Sequence, residues 1–89
     1  MNKSEHHFQI CDRLNAIYYA KNQDYGDSFG KAYAEYGDIS AMVRISDKFN
    51  RLKQLTNGHE PQVDEPLKDT ILDMANYLIM WAMELEEKP

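Results

Sequence analysis

Apolar positions in this chain recur at steps of three and four. From about Ser4 to Asn22, Phe8, Cys11, Leu14 and Tyr18 make one stripe, flanked by Ile10 and Ile17. That spacing predicts an amphipathic helix, with Ser4 as candidate N-cap and Glu5 in the first turn. A second stripe, between about Asp38 and Asn57, consists of Met42, Ile45, Phe49, Leu52 and Thr56. Asn57-Gly58 then supplies a helix stop, because glycine adopts the left-handed conformation without strain. A third helix is predicted from about Glu65 to Glu87, with Asp64 as candidate N-cap and Pro66 in the first turn, where a missing N–H costs little. Its apolar face is Leu67, Ile71, Met74, Ala75, Leu78, Ala82 and Leu85. Residues 23–37 do not continue the first helix. They predict a turn at Tyr25-Gly26, a short helix from about Ser28 to Tyr36 and a stop at Gly37. No segment alternates with the period of a strand. The expectation is a single all-α domain over residues 1–89, a small helical bundle of three to four helices.

Size changes that picture in one respect. A chain of 89 residues buries only roughly 60–65% of the surface that its unfolded form exposes. On the last helix Tyr77, Met80 and Met83 fall outside the apolar face, so most of its circumference is apolar. Such a helix is covered on two sides, which predicts a homodimer or higher homo-oligomer completing a four-helix-type bundle.

Composition narrows the functional classes. The chain is 43% hydrophobic and 28% charged, with six Tyr, three Phe and one Trp, an ordinary globular balance. Its longest apolar run, Tyr77 to Met83, is far below the roughly 20 residues of a membrane span. His6, His7, Asp12 and Arg13 interrupt any secretory segment, and Cys11 is the only cysteine; a cytoplasmic chain without disulfides is expected. His6, His7 and His59 make no convincing zinc set. A net charge of −5 argues against duplex nucleic acid as partner, since that affinity rests on neutralising phosphates.

Three groups of residues bear on chemistry. On the last helix Glu65, Asp69 and Asp73 stand at steps of four, in line with Asn76 and Met80. Stacked carboxylates repel, and a divalent cation such as Mg²⁺ relieves that repulsion; a plain solvated acidic face is the alternative. On the second long helix Arg44, Asp47, Arg51 and Gln54 form a polar line with Lys48 at its edge. This is either a surface ion-pair ladder or a set in which Asp47 joins the metal carboxylates and the cations meet phosphate oxygens. The third group is Lys21-Asn22-Gln23-Asp24-Tyr25-Gly26-Asp27-Ser28-Phe29. It reads as a helix-ending turn or as a ligand loop, with Lys21 on phosphate and Tyr25 or Phe29 against a base.

Three pieces carry a family resemblance: Lys21 with Asp24-Tyr25-Gly26, then Arg44 to Leu52, then Asp64 to Tyr77. In order and spacing they resemble the phage and bacterial nucleotide modification-associated domain, over about Ile10 to Leu85. That domain looks like a relative of the MazG-type all-α nucleoside triphosphate pyrophosphatases. The resemblance implies a MazG-like bundle that hydrolyses (deoxy)nucleoside triphosphates to monophosphate and pyrophosphate. It implies Mg²⁺, with Mn²⁺ as substitute, on Asp47, Glu65, Asp69 and Asp73, with Asp47, Asp69 and Asp73 as the catalytic carboxylates. Lys21, Asp24, Tyr25, Arg44, Lys48, Arg51 and Asn76 are the matching candidates for substrate contacts.

The acids are sparser than in those enzymes. Thr70 stands three residues before Asp73, where an acid is the rule, and Asp47 is the one acid between Ile39 and Asn57. Three readings therefore stand side by side. They are a pyrophosphohydrolase, a non-catalytic nucleotide-binding or sequestering module, and a small phage accessory protein whose partner is another protein.

Overall fold

Helix ends in this chain are set by short polar side chains and by residues of positive φ. The computed structural model describes residues 2–58 and 66–87. Four helices follow one another: α1 (Lys3–Tyr25), α2 (Ser28–Tyr36), α3 (Asp38–Thr56) and α4 (Leu67–Glu87). The helix α1 begins before Ser4, because Asn2 does the capping. Its side-chain oxygen accepts the Glu5 N–H at 2.8 Å, and its amide donates to Glu5 Oε1 at 3.1 Å. The helix runs three residues beyond Asn22 to Tyr25, where Gly26 at φ +61° donates its N–H back to the Asn22 carbonyl. Asp27 follows in the same left-handed region, at φ +55°, so two successive residues reverse the chain into α2. Aspartate is among the few side chains that tolerate this conformation.

The expected short helix spans Ser28–Tyr36, and Gly37 separates it from α3. At φ +73°, ψ −151° Gly37 occupies a region that is essentially glycine's alone, which is how one residue suffices for the joint. At the far end of α3, Thr56 Oγ1 donates to the Leu52 carbonyl at 2.8 Å, and Asn57 N–H to that of Lys53 at 3.1 Å. Pro66 lies just outside α4 rather than in its first turn: its carbonyl accepts the Thr70 N–H at 3.2 Å. The expected N-cap, Asp64, lies outside the described residues.

Antiparallel packing of α3 on α4 dominates the interior. Near one end Trp81 Nε1 donates to Asp38 Oδ1 at 2.8 Å, and the Tyr33 hydroxyl donates to the same oxygen at 2.6 Å. Further along, Lys48 meets Asp73. The helix α1 is tied to α4 by a buried bond from Asn76 Nδ2 to the Leu14 carbonyl, 3.1 Å. The buried apolar residues are Leu14, Phe29, Tyr33, Ala41, Ile45 and Leu72, joined by the polar Thr70 and Asn76.

That core is smaller than the periodicity predicted, and part of it is different. Cys11 and Phe8 of the α1 stripe are exposed, as are Met42 and Phe49 of α3. On α4 the predicted face is turned outward: Leu67, Ile71, Leu78 and Leu85 are between 41% and 49% exposed. The side of α4 that meets the rest of the chain carries Thr70, Asp73, Asn76, Tyr77 and Met80 instead. The physical reason is long-range polar pairing: Asn76, Asp73 and Trp81 have polar partners on α1 and α3, and those bonds orient the helix. The surface is correspondingly large. Its 6712 Å² compares with about 5,400 Å² for a folded monomer of this mass. No helix among the described residues is long and apolar enough to cross a membrane.

Candidate functional site

Three helices contribute side chains to one cleft by simple spacing. On α1, Tyr18, Lys21, Asn22 and Tyr25 stand three and four apart and share a face. On α4, Asp73, Asn76, Tyr77 and Met80 do the same. Arg44 comes from α3, and Ser28 and Phe29 open α2. Together these residues line a small cleft of about 70 Å³, well below the roughly 300–1,000 Å³ usual for small-molecule sites, so a nucleotide reaching into it extends over the adjoining surface. Its floor is aromatic. Phe29 and Tyr77 stack with centroids 6.1 Å apart and planes inclined by 19°. The Arg44 guanidinium carbon lies 5.5 Å from the centre of the Phe29 ring, an attraction between cation and ring face.

Beside this cleft, and sharing Arg44 and Tyr77 with it, a second groove of about 380 Å³ is lined by Asp47, Lys48 and Arg51. Arg44, Lys48 and Arg51 reach it because steps of four and three keep them on one side of α3. A third, shallower depression continues past Lys21 and Asp73 to Asp69, Ile17 and Leu72. Asp73 stands where these surfaces meet. Lys21 of α1 lies 2.9 Å from its Oδ1, and Lys48 of α3 lies 3.3 Å from its Oδ2. The carboxylate is thus held between ammonium groups from two other helices, 22% exposed. Lys48, placed at the edge of a polar line by its spacing, is central here.

The sequence candidates divide clearly. Lys21, Tyr25, Arg44, Asp73 and Asn76 line the cleft, and Asp47, Lys48 and Arg51 line the adjoining groove. Asn76 has spent its amide on the Leu14 carbonyl, so it ties α1 to α4 whatever else it touches. Phe29 is 4% exposed and serves as floor; Tyr25, largely exposed at the rim, is the aromatic that remains for a ligand face. Asp24 is exposed and lines neither surface. Glu65 lies outside the described residues. Tyr18, Asn22, Ser28 and Met80 complete the cleft and were not singled out as ligand contacts by sequence; the face shared by Tyr18, Asn22 and Tyr25 with Lys21 was the available signal for two of them.

The carboxylates do not assemble as a metal site would require. Among the described residues no three of His, Cys, Asp or Glu stand together where they could hold a metal ion. Asp69 is exposed, Asp47 is in the groove on α3, and both oxygens of Asp73 face lysines. Among the described residues, then, Asp47, Asp69 and Asp73 do not by themselves form a carboxylate set for Mg²⁺. What the arrangement offers is positive charge. Lys21, Arg44, Lys48 and Arg51 converge from two helices in a chain whose net charge is −5.

Comparison with known proteins agrees with the resemblance at the level of the domain. The family described as Nucleotide modification associated domain 1 matches residues 21–85, from the first lysine of the cleft to the end of α4. No curated protein and no solved structure matches the chain. With most of its length matched, including every described residue assigned above to the cationic surface, the chain belongs to the Nucleotide modification associated domain 1 family.

Proposed function

We propose that this protein binds a nucleotide through its phosphates in the cleft between α1, α3 and α4, on a scaffold related to the MazG-type pyrophosphatases, and that it works as a homodimer. The observation that carries the binding role is the placing of Lys21 and Arg44 at a cleft floored by Phe29 and Tyr77, with Lys48 and Arg51 in the groove that adjoins it at Arg44 and Tyr77. Guanidinium and ammonium groups are the side chains suited to phosphate oxygens. An exposed tyrosine at the rim, Tyr25, supplies a face for a base. The family's description, which names nucleotide modification, agrees with that class of ligand. Binding is favoured over hydrolysis because, of the carboxylates that hydrolysis would need, Asp69 and Asp73 line one depression while Asp47 lies in the groove on α3, and both oxygens of Asp73 face lysines.

The dimer is supported by the apolar stripe of Leu67, Ile71, Leu78 and Leu85 that α4 leaves exposed; a stable interface covers about 800 Å² on each partner.

Calorimetric titration with mono-, di- and triphosphates of the common nucleosides tests the reading. Affinity is expected to rise with phosphate number. Replacing Lys48 by Met is expected to weaken triphosphate binding about tenfold, the scale of one charge-assisted contact, with the helical circular dichroism unchanged. Failure of the wild-type protein to bind any nucleotide would discard the proposal. Metal-dependent release of pyrophosphate would replace binding with turnover as the function of the cleft.

A further inference from the structure

We infer that Asp73 is a positioning residue which occupies the phosphate site of the free protein, and that a polyphosphate binds there by displacing it from Lys21 and Lys48, with no metal ion held by this chain. The inference deepens the nucleotide-binding reading and rests on it.

The geometry is the first argument. One carboxylate oxygen faces the Lys21 ammonium at 2.9 Å and the other faces that of Lys48 at 3.3 Å. Those ammonium groups come from different helices, so they are brought to one spot by the fold and not by sequence proximity. A carboxylate with both oxygens at cations is a poor metal ligand, since the metal would be a third cation at the same place. It is, however, a good mimic of a phosphate, whose oxygens present a similar pair of acceptors with more negative charge. The surroundings agree. Arg44 and Arg51 line the two surfaces on either side of this pair, so a chain of phosphates reaching past Asp73 meets further cations.

Exposure is the second argument. Lys21 retains 51% of its side-chain exposure and Lys48 24%, while Asp73 retains 22%. The carboxylate is fixed on a packed helix, whereas Lys21 is free to swing its long stem towards an incoming anion. Displacement therefore requires rotation of side chains only, with no movement of the backbone.

Charge settles the sign of the Asp73→Asn substitution. An asparagine keeps the shape but removes a negative charge a few ångströms from the bound phosphate. At that distance in a partly solvated groove, loss of the repulsion by a multiply charged phosphate outweighs the loss of lysine positioning, of which the half-exposed Lys21 arm is worth little. The expected result is inverted relative to a metal ligand: the variant binds more tightly.

The test uses inorganic tripolyphosphate and a nucleoside triphosphate as calorimetric titrants, with EDTA or with added Mg²⁺. Wild-type protein is expected to bind both in EDTA, and Mg²⁺ is expected to weaken binding by competing for the phosphates. Asp73→Asn is expected to tighten tripolyphosphate binding about fivefold or more in low salt, and Lys21→Met to weaken it. Nucleotide binding that needs Mg²⁺ and disappears in Asp73→Asn would overturn this inference while leaving the nucleotide reading intact. Absence of all binding by the wild type would overturn both. The EDTA comparison needs no variant, so misfolding of a mutant does not shield the proposal.

Discussion

The two sides of α4 invert the usual rule. The side packed within the chain carries Thr70, Asp73, Asn76, Tyr77, Met80 and Trp81, while the side facing out carries Leu67, Ile71, Leu78 and Leu85. At 100° per residue the outward apolar positions, with Ala75, Ala82 and Ile79, form a stripe about 120° wide. Contacts within the chain are thus made by bonds that fix position: Asn76 to the Leu14 carbonyl, Asp73 to two lysines, Trp81 to Asp38. Apolar burial, the stronger general driving force, involves Leu72 on the inward side of α4, while the outward stripe stays exposed. The difference separates a mostly polar side that lines the cleft from an apolar side that the single chain leaves exposed.

The largest expected effect comes from placing a charge in the outward stripe. If a second copy covers that stripe, Leu78→Asp buries a carboxylate in an apolar interface and costs at least about 2 kcal/mol. Light scattering is then expected to show the mass fall from dimer to monomer at micromolar concentration. The melting temperature is expected to drop by about 10 °C, taking about 4–8 °C per kcal/mol for a domain of this size. If the stripe is bare, the same substitution is a surface change within about 0.5 kcal/mol, and the comparison between the two sides loses its meaning.

How much of this was legible in the sequence depends on which side is considered. The helices were, because caps and stops are local: the Ser28–Tyr36 helix and the joint at Gly37 follow from residues within a few positions of each other. The apolar stripe of α4 was legible as well, though within the chain it faces outward. Periodicity does not say which neighbour covers which side. That choice is made by pairs such as Asn76 with Leu14 and Lys21 with Asp73, separated by 62 and 52 residues, and no local pattern contains them. The cationic residues were identified by type and spacing. The meeting of Lys21 and Lys48 at Asp73 was not, because a carboxylate in line with other carboxylates looks the same whether its partner is a metal ion or a lysine.

On the inward side, the bond of Asn76 is the next to break. Asn76 is 7% exposed and donates to a carbonyl in the middle of α1. That carbonyl keeps its helical N–H partner, so Asn76→Ala removes one buried bond and leaves a small void, without orphaning the acceptor. The expected loss is about 1–3 kcal/mol in urea unfolding. It should be felt unevenly: hydrogen exchange is expected to speed up in α1 more than in α3, since this bond ties α1 to the pair α3–α4. A uniform acceleration would mean that α1 is held mainly by other contacts.

The smallest effect is expected at Trp81. Its indole N–H reaches Asp38 Oδ1 at 2.8 Å, but the Tyr33 hydroxyl donates to the same oxygen at 2.6 Å. A carboxylate oxygen accepts more than one bond, so Trp81→Phe leaves Asp38 paired with Tyr33 and retains most of the ring's packing. About 0.5–1 kcal/mol is the expected cost, at the lower end of the range for one hydrogen bond. Tyr33→Phe on its own should behave alike. Combining the two substitutions tests whether the carboxylate at the start of α3 is a shared hub. If it is, the double variant loses more than the sum of the singles, because each single variant is sheltered by the donor that remains. Simple additivity would mean that the two bonds act separately, and that the α3–α4 pair is oriented chiefly from the other end, where Asp73 meets Lys48.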